Sequence, residues 1–219
     1  MTKVKRPMWI AVEGPIRVGK STLARLLAER TGARRIVEPE NNPFLDKFYK
    51  TVPGMAFATQ MWFLKERYEQ MREAEAVGER AGKKQAVVAD YIFEKDKLFA
   101  HVNLNDAELA LYNRYYDHFR KDLAGPDLVV YLQATPEVLK TRLKRKGIPG
   151  ERAVSEKYLE KMVEAYEHFF FHYSASDLLV VDTTAIDFVN EPKDLEKMFE
   201  RIEGGVKGKE YFVPLRGKK

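Results

Sequence analysis

Cysteine is missing from the 219 residues. That excludes a thiolate nucleophile, a disulfide framework and a thiolate zinc site. No apolar run approaches the roughly 20 residues that span a bilayer, so no membrane partner is expected. The basic start, Lys3-Val4-Lys5-Arg6, leads directly into a strand-like segment rather than the apolar stretch of a signal peptide. A cytoplasmic location is the resulting expectation. Linkers, internal repeats and low-complexity tracts are also lacking, so one domain over 1–219 is expected. Lys and Arg number 38 against 33 Asp and Glu, a formal charge of +5. Much of that excess sits at the ends, in Lys3, Lys5, Arg6, Arg216, Lys218 and Lys219. A nucleic-acid partner is therefore not expected.

What the chain does have is a glycine loop, Gly14-Pro15-Ile16-Arg17-Val18-Gly19-Lys20-Ser21-Thr22, between an apolar run (Met8 to Val12) and a helix-patterned one. Strand, loop and helix in that order form a phosphate cradle. The glycines let backbone N–H groups turn inward around phosphate oxygens, and the helix adds its positive end. Lys20 is placed to reach the β- and γ-phosphates of ATP, and the Ser21 hydroxyl to hold Mg²⁺.

Four further short apolar runs follow at 35–37, 86–89, 128–132 and 178–181. Near-continuous and β-branched, they suit strands covered on both faces of a parallel sheet. Helix-patterned segments lie between them at about 21–31, 54–78, 105–123, 135–146 and 155–173, with another at 193–202. This alternation predicts a three-layer α/β fold of the P-loop NTPase type with about five strands. The segment after 204 carries no expectation. Ligands in such sheets sit beyond the carboxyl ends of the strands, where Glu13, Glu38, Asp90 and Asp182 fall. These carboxylates suit handling of a cation or acceptance of a hydroxyl proton, though acids after strands also cap helices.

From about Trp9 to Val189 the sequence resembles the deoxyribonucleoside kinase family, in particular its bacterial deoxyadenosine/deoxyguanosine kinase branch. The resemblance rests on Glu13 through Thr22, Glu38-Pro39, Asn42-Pro43-Phe44-Leu45 and Phe48-Tyr49. It extends through Gln60 with Arg67, Asp90 with Asp96, Arg142 through Glu151, and Ile186-Asp187-Phe188-Val189. It implies transfer of the ATP γ-phosphoryl group to a deoxynucleoside 5′-hydroxyl, with a purine as the expected base. It also implies a homodimer, for which the helices at 54–78 and 105–123 are candidates.

Residue by residue, the resemblance gives Gln60, Arg67 and Asp96 the base edge. Gln60 and Arg67 are seven apart, hence on one helical face. Tyr49 and Glu151 are given the sugar 3′-hydroxyl; by themselves they read as core and surface. Glu38 is placed near the 5′-hydroxyl, and Asp90, at a strand end, is the expected general base. Asp187 and Phe188 belong to the loop that holds the adenine of ATP. The cationic segment about 142–153 reads as a lid whose Arg142 and Lys146 bring charge to the migrating phosphoryl group.

Three departures from the family pattern stand out. Tyr91 occupies the place of an arginine after Asp90, leaving Lys95 or a lid arginine to supply that charge. Lys146 and Ile148 stand where two arginines are common, with Arg145 and Arg152 nearby. Arg17 replaces a small residue in the glycine loop. A thymidylate-type monophosphate kinase and a non-catalytic nucleotide-binding module are the alternatives. The carboxylate of Glu38 would repel an acceptor phosphate and so favours a nucleoside.

Overall fold

The computed structural model describes residues 9–80, 86–147 and 154–213, and within 74–80 the backbone alone. The elements run β1 (Trp9–Glu13), α1 (Lys20–Thr31), β2 (Arg34–Ile36), α2 (Leu45–Tyr49), α3 (Met55–Arg80), β3 (Val87–Ala89) and α4 (Lys95–Asn103). They continue with α5 (Asp106–Arg120), β4 (Leu128–Gln133), α6 (Pro136–Lys146), α7 (Glu156–His172), β5 (Asp177–Asp182), α8 (Pro192–Glu203) and β6 (Lys209–Phe212).

The strands form one parallel sheet in the order β2-β3-β1-β4-β5-β6. The count is six rather than about five, because the segment beyond 204 supplies β6. Its four residues alternate exposed and half-buried, so they lack the continuous apolar run that marks the inner strands.

β1 lies at the centre because its residues are apolar on both faces. Ile10 and Val12 enter a core with Leu23 and Leu27 of α1 and Phe199 of α8. Ala11 faces the opposite layer, with Met162, Tyr166 and Phe170 of α7. Burying each large apolar side chain contributes about 1.5–3 kcal/mol. The helix ends follow local chemistry. Asn105 and Glu108 form a capping box on α5, and the Ser155 hydroxyl accepts from the Tyr158 N–H at the start of α7.

With β3 on one side of β1 and β4 on the other, the chain reverses its direction of winding at β1. That crevice is where an open parallel sheet binds ligands. β2 and β3 lie on one flank, and β4 to β6 on the other.

Candidate active site

The loop after β1 is open for an anion. Gly14 takes φ 148° and Gly19 φ 114°. A Cβ at Gly14 would collide with the Leu132 carbonyl oxygen, and one at Gly19 with the Phe188 ring. Arg17 holds φ 64°, a left-handed conformation costing a non-glycine residue on the order of 1 kcal/mol or more. α1 starts at Lys20 with Gly19 as its N-cap and without a side-chain cap. The first N–H groups, on Lys20, Ser21 and Thr22, thus remain for an outside acceptor.

Lys20 reaches back across the loop, its Nζ 3.2 Å from the Pro15 carbonyl. Burial, and then the charge of Lys95, lowers its pKa to about 8. A phosphate would raise that value again, so productive ATP capture needs the proton present beforehand. We expect kcat/KM for ATP to be level below pH 8 and to fall as pH rises above it, about tenfold per unit. In the ligand-free protein the sign is opposite. A depressed lysine makes stability rise between pH 8 and its ordinary value near 10.5. Initial rates and urea unfolding across pH 7–10 check the two halves.

On the flank of β4 to β6, a cavity of about 320 Å³ is lined by Val138, Arg142, Arg145, Ile186 and Asp187, among others. Phe188 is buried against Gly19. The Asp187 carboxylate accepts from Asn190 (Nδ2, 2.7 Å) and lies 3.9 Å from Arg145. Arg142 is the clamp of this region. Its Nη1 donates to the Val18 carbonyl (3.3 Å) and the Thr183 hydroxyl (3.1 Å), its Nη2 to the carbonyls of Thr183 (2.7 Å) and Ile186 (3.4 Å). Both terminal nitrogens are thus committed to loop oxygens. This differs from the expectation of a mobile charge brought to the phosphoryl group. Lys146 is exposed on the last turn of α6. Ile148, Glu151 and Arg152 lie outside the described residues, with most of the expected lid.

The other flank holds a cluster of buried charges. Gln60 and Arg67, 2% and 3% exposed, share the face of α3 that carries Leu64 and Met71. Arg67 pairs through Nη1 with Asp96 and through Nη2 with Glu38, and its guanidinium lies over Phe63 (4.6 Å) and Tyr91 (5.5 Å). Burial holds the Asp96 carboxyl up at about 6 despite Arg67. The Oδ2 of Asp96 has no hydrogen-bond partner. Tyr91 is fully buried, and its hydroxyl donates to Gln70 (2.8 Å). It therefore gives Arg67 a platform rather than supplying charge. Tyr49 is half-buried on α2 beside Phe48.

Glu38 and Asp90 differ in access: the Glu38 side chain is 28% exposed and that of Asp90 1%. Asp90 Oδ1 accepts the backbone N–H of Glu38 (2.6 Å), and Oδ2 lies 3.9 Å from Arg35 without a hydrogen bond. Although burial opposes ionisation, Lys95 and Arg67 hold the Glu38 carboxyl well below the usual carboxylate range.

Two further residues take part. Glu13, fully buried, accepts from the N–H groups of Gly14 (2.8 Å) and Ile92 (3.0 Å) and from the Tyr166 hydroxyl (3.0 Å). It ties the loop to β3's exit and to α7. Arg35 is the other. Glu13 is read from the sequence as a strand-end carboxylate, whereas no local pattern marks Arg35, whose partner Asp90 lies far along the chain. Tyr166 does sit on the apolar stripe of α7, which identifies it as core.

A wound parallel sheet with a glycine loop at its central strand, a cavity on one flank and buried acids on the other defines a P-loop phosphotransferase. Sequence comparison narrows this: the profile of the deoxynucleoside kinase family ("dNK: Deoxynucleoside kinase") matches residues 10–207. Deoxyguanosine kinase of Bacillus subtilis is 35% identical over 204 residues, covering 91% of this chain and 96% of that protein. Deoxyadenosine/deoxycytidine kinase of the same organism is 29% identical, covering 88% and 90%. Deoxyadenosine kinase from M. mycoides with bound dATP superposes with a TM-score of 0.76 at 23% identity, over 89% of this chain and 98% of that one. The chain belongs to the deoxynucleoside kinase family: it is an enzyme that moves a phosphoryl group from ATP to a deoxynucleoside.

Proposed function

We propose that the chain phosphorylates the 5′-hydroxyl of a purine deoxyribonucleoside, deoxyguanosine or deoxyadenosine, with MgATP as donor. One observation carries this reading: Arg67, on the buried face of α3 that also carries Gln60, joins the buried Asp96 directly to the carboxylate of Glu38. An uncharged nucleoside fits that span, whereas Glu38 would repel the phosphate of a nucleotide acceptor. The likeness to deoxyguanosine and deoxyadenosine/deoxycytidine kinases supports a purine. Turnover with each common deoxynucleoside and monophosphate tests it. A purine deoxynucleoside is expected to give the highest kcat/KM; product from thymidine monophosphate alone would overturn the proposal.

In the mechanism, the 5′-oxygen bonds to Pγ, the bond from Pγ to the bridging oxygen breaks, and ADP leaves with the electron pair. The hydroxyl proton passes to a strand-end carboxylate. We assign this to Glu38 rather than to Asp90. Glu38 faces the cleft, while Asp90 is spent on holding the Glu38 backbone. The low pKa of Glu38 keeps it ionised and able to orient the hydroxyl. A loose transfer needs the proton only late. Lys20 offsets the negative charge of the β- and γ-phosphates. Mg²⁺, which neutralises phosphate charge when bound, asks few protein ligands of such a site. The Ser21 hydroxyl is the suitable donor, while no cluster of three or more His, Asp or Glu able to hold a metal occurs among the described residues. Tyr49 and Glu151 are assigned the sugar 3′-hydroxyl, and Lys146 the lid's charge.

Arg142 supports donor binding by fixing the loops around the base cavity, with Asp187 and Phe188 in its wall. Arg142→Ala is expected to raise KM for ATP about 10- to 100-fold, the worth of charged hydrogen bonds at 1.5–3 kcal/mol. The nucleoside KM should stay level; an equal rise in both would count against the clamp. A homodimer through α3 and α5, where Leu111 and Tyr115 are exposed, and a cytoplasmic location complete the proposal.

A further inference from the structure

Lys95 opens α4 and is 5% exposed. Burial strips water from an ammonium group, and the amino end of a helix carries partial positive charge; both make this an unfavourable place for a cation. Glu38 holds it there, with its carboxylate oxygens 2.7 and 2.9 Å from Nζ, and Glu13 lies 3.9 Å away. Across the cleft stands Lys20, whose own proton is loosened by burial and by Lys95. Two lysines that repel one another thus share one end of the crevice, beside the uncapped N–H groups of α1. A phosphoryl group between them would relieve that repulsion. Lys20 belongs to the donor loop. Lys95 is tethered beyond β3, on the flank that holds Glu38, Arg67 and Asp96.

We infer that Lys95 is a catalytic residue that binds the phosphoryl group from the acceptor side, donating to the 5′-oxygen and to a non-bridging oxygen of the γ-phosphoryl group. This rests on the nucleoside-kinase reading of the cleft and adds a second cation to it. Lys95 releases Glu38 as the hydroxyl arrives, which leaves the carboxylate free for the departing proton. The ammonium suits this exchange because a single donor head on a flexible stem moves between partners, as a planar guanidinium fork does not.

The test uses Lys95→Met and Lys95→Gln in the full chain. The glutamine variant retains a donor toward Glu38 should methionine prevent folding. Calorimetry measures the affinity of each for the nucleoside and for its 5′-monophosphate product, and initial rates give kcat and KM. Both variants are expected to lose tenfold or more in product affinity with nucleoside affinity held within threefold, and about 10²- to 10³-fold in kcat, as for removal of one donor from a developing charge. A group that merely supports the fold would move both affinities together. Equal loss for the two ligands, or product affinity and kcat within threefold of the parent, overturns the assignment. Failure of the parent chain itself to turn over any nucleoside would sink the underlying reading instead.

Discussion

Glu38→Gln is expected to lower kcat by about 10³-fold, within the 10²–10⁴ range of positioned general bases. The KM values should change little. Glutamine preserves the shape and still accepts from Lys95 and Arg67, but takes no proton. Because the native carboxyl is held well below the usual carboxylate range by Lys95 and Arg67, it is ionised throughout the working pH range. No acidic limb from Glu38 should therefore appear in the parent's kcat profile near neutrality. The companion Asp90→Asn should cost less in kcat, since Asp90 acts through the Glu38 backbone rather than on substrate. If Asp90→Asn is the more damaging of the two, the roles are reversed. Single-turnover rates with saturating ATP separate the chemical step from product release and decide between them.

Arg67→Met is expected to destabilise the protein by about 3–5 kcal/mol, the effect of removing one member of a buried charge pair. It should also abolish measurable nucleoside binding. Arg67 lies between Asp96, which is fully buried, and Glu38, and packs on Phe63 and Tyr91. Lys95 still supports Glu38 in the variant, but Asp96 loses its partner. In the parent the Asp96 carboxyl is raised to about 6. A raised acid favours the folded state when protonated, so its contribution diminishes as pH rises from about 4 to 6. Without Arg67 that window extends upward, and the loss of stability should be smaller at pH 5 than at pH 8. Urea unfolding at the two pH values checks the sign. Arg67→Met combined with Asp96→Asn should recover part of the loss, since the orphaned charge is gone. An equal loss at both pH values, with no recovery in the double variant, would show that packing on the two rings outweighs the ion pairs.

Local patterns determined a good deal of this protein. The glycine loop needs a backbone that turns N–H groups inward, and Gly14 and Gly19 mark it without reference to the rest of the chain. β-branched runs alternating with helix patterns specify a wound parallel sheet, and a spacing of seven puts Gln60 and Arg67 on one face of α3. Partner choice was decided by tertiary structure, because it depends on which strands lie side by side. Only the β2-β3-β1 order brings Asp90 under the Glu38 backbone, and only the seating of α4 against α3 and α7 brings Lys95 to Glu38 and Asp96 to Arg67. The same holds for β6, polar enough to pass for a tail until β5 offers it an edge, and for Arg142, which meets oxygens 41 residues away at Thr183 and 124 away at Val18. Backbone preference is local and can be read along the chain. The cost of burying a charge is settled by whatever the fold places within 3 Å of it.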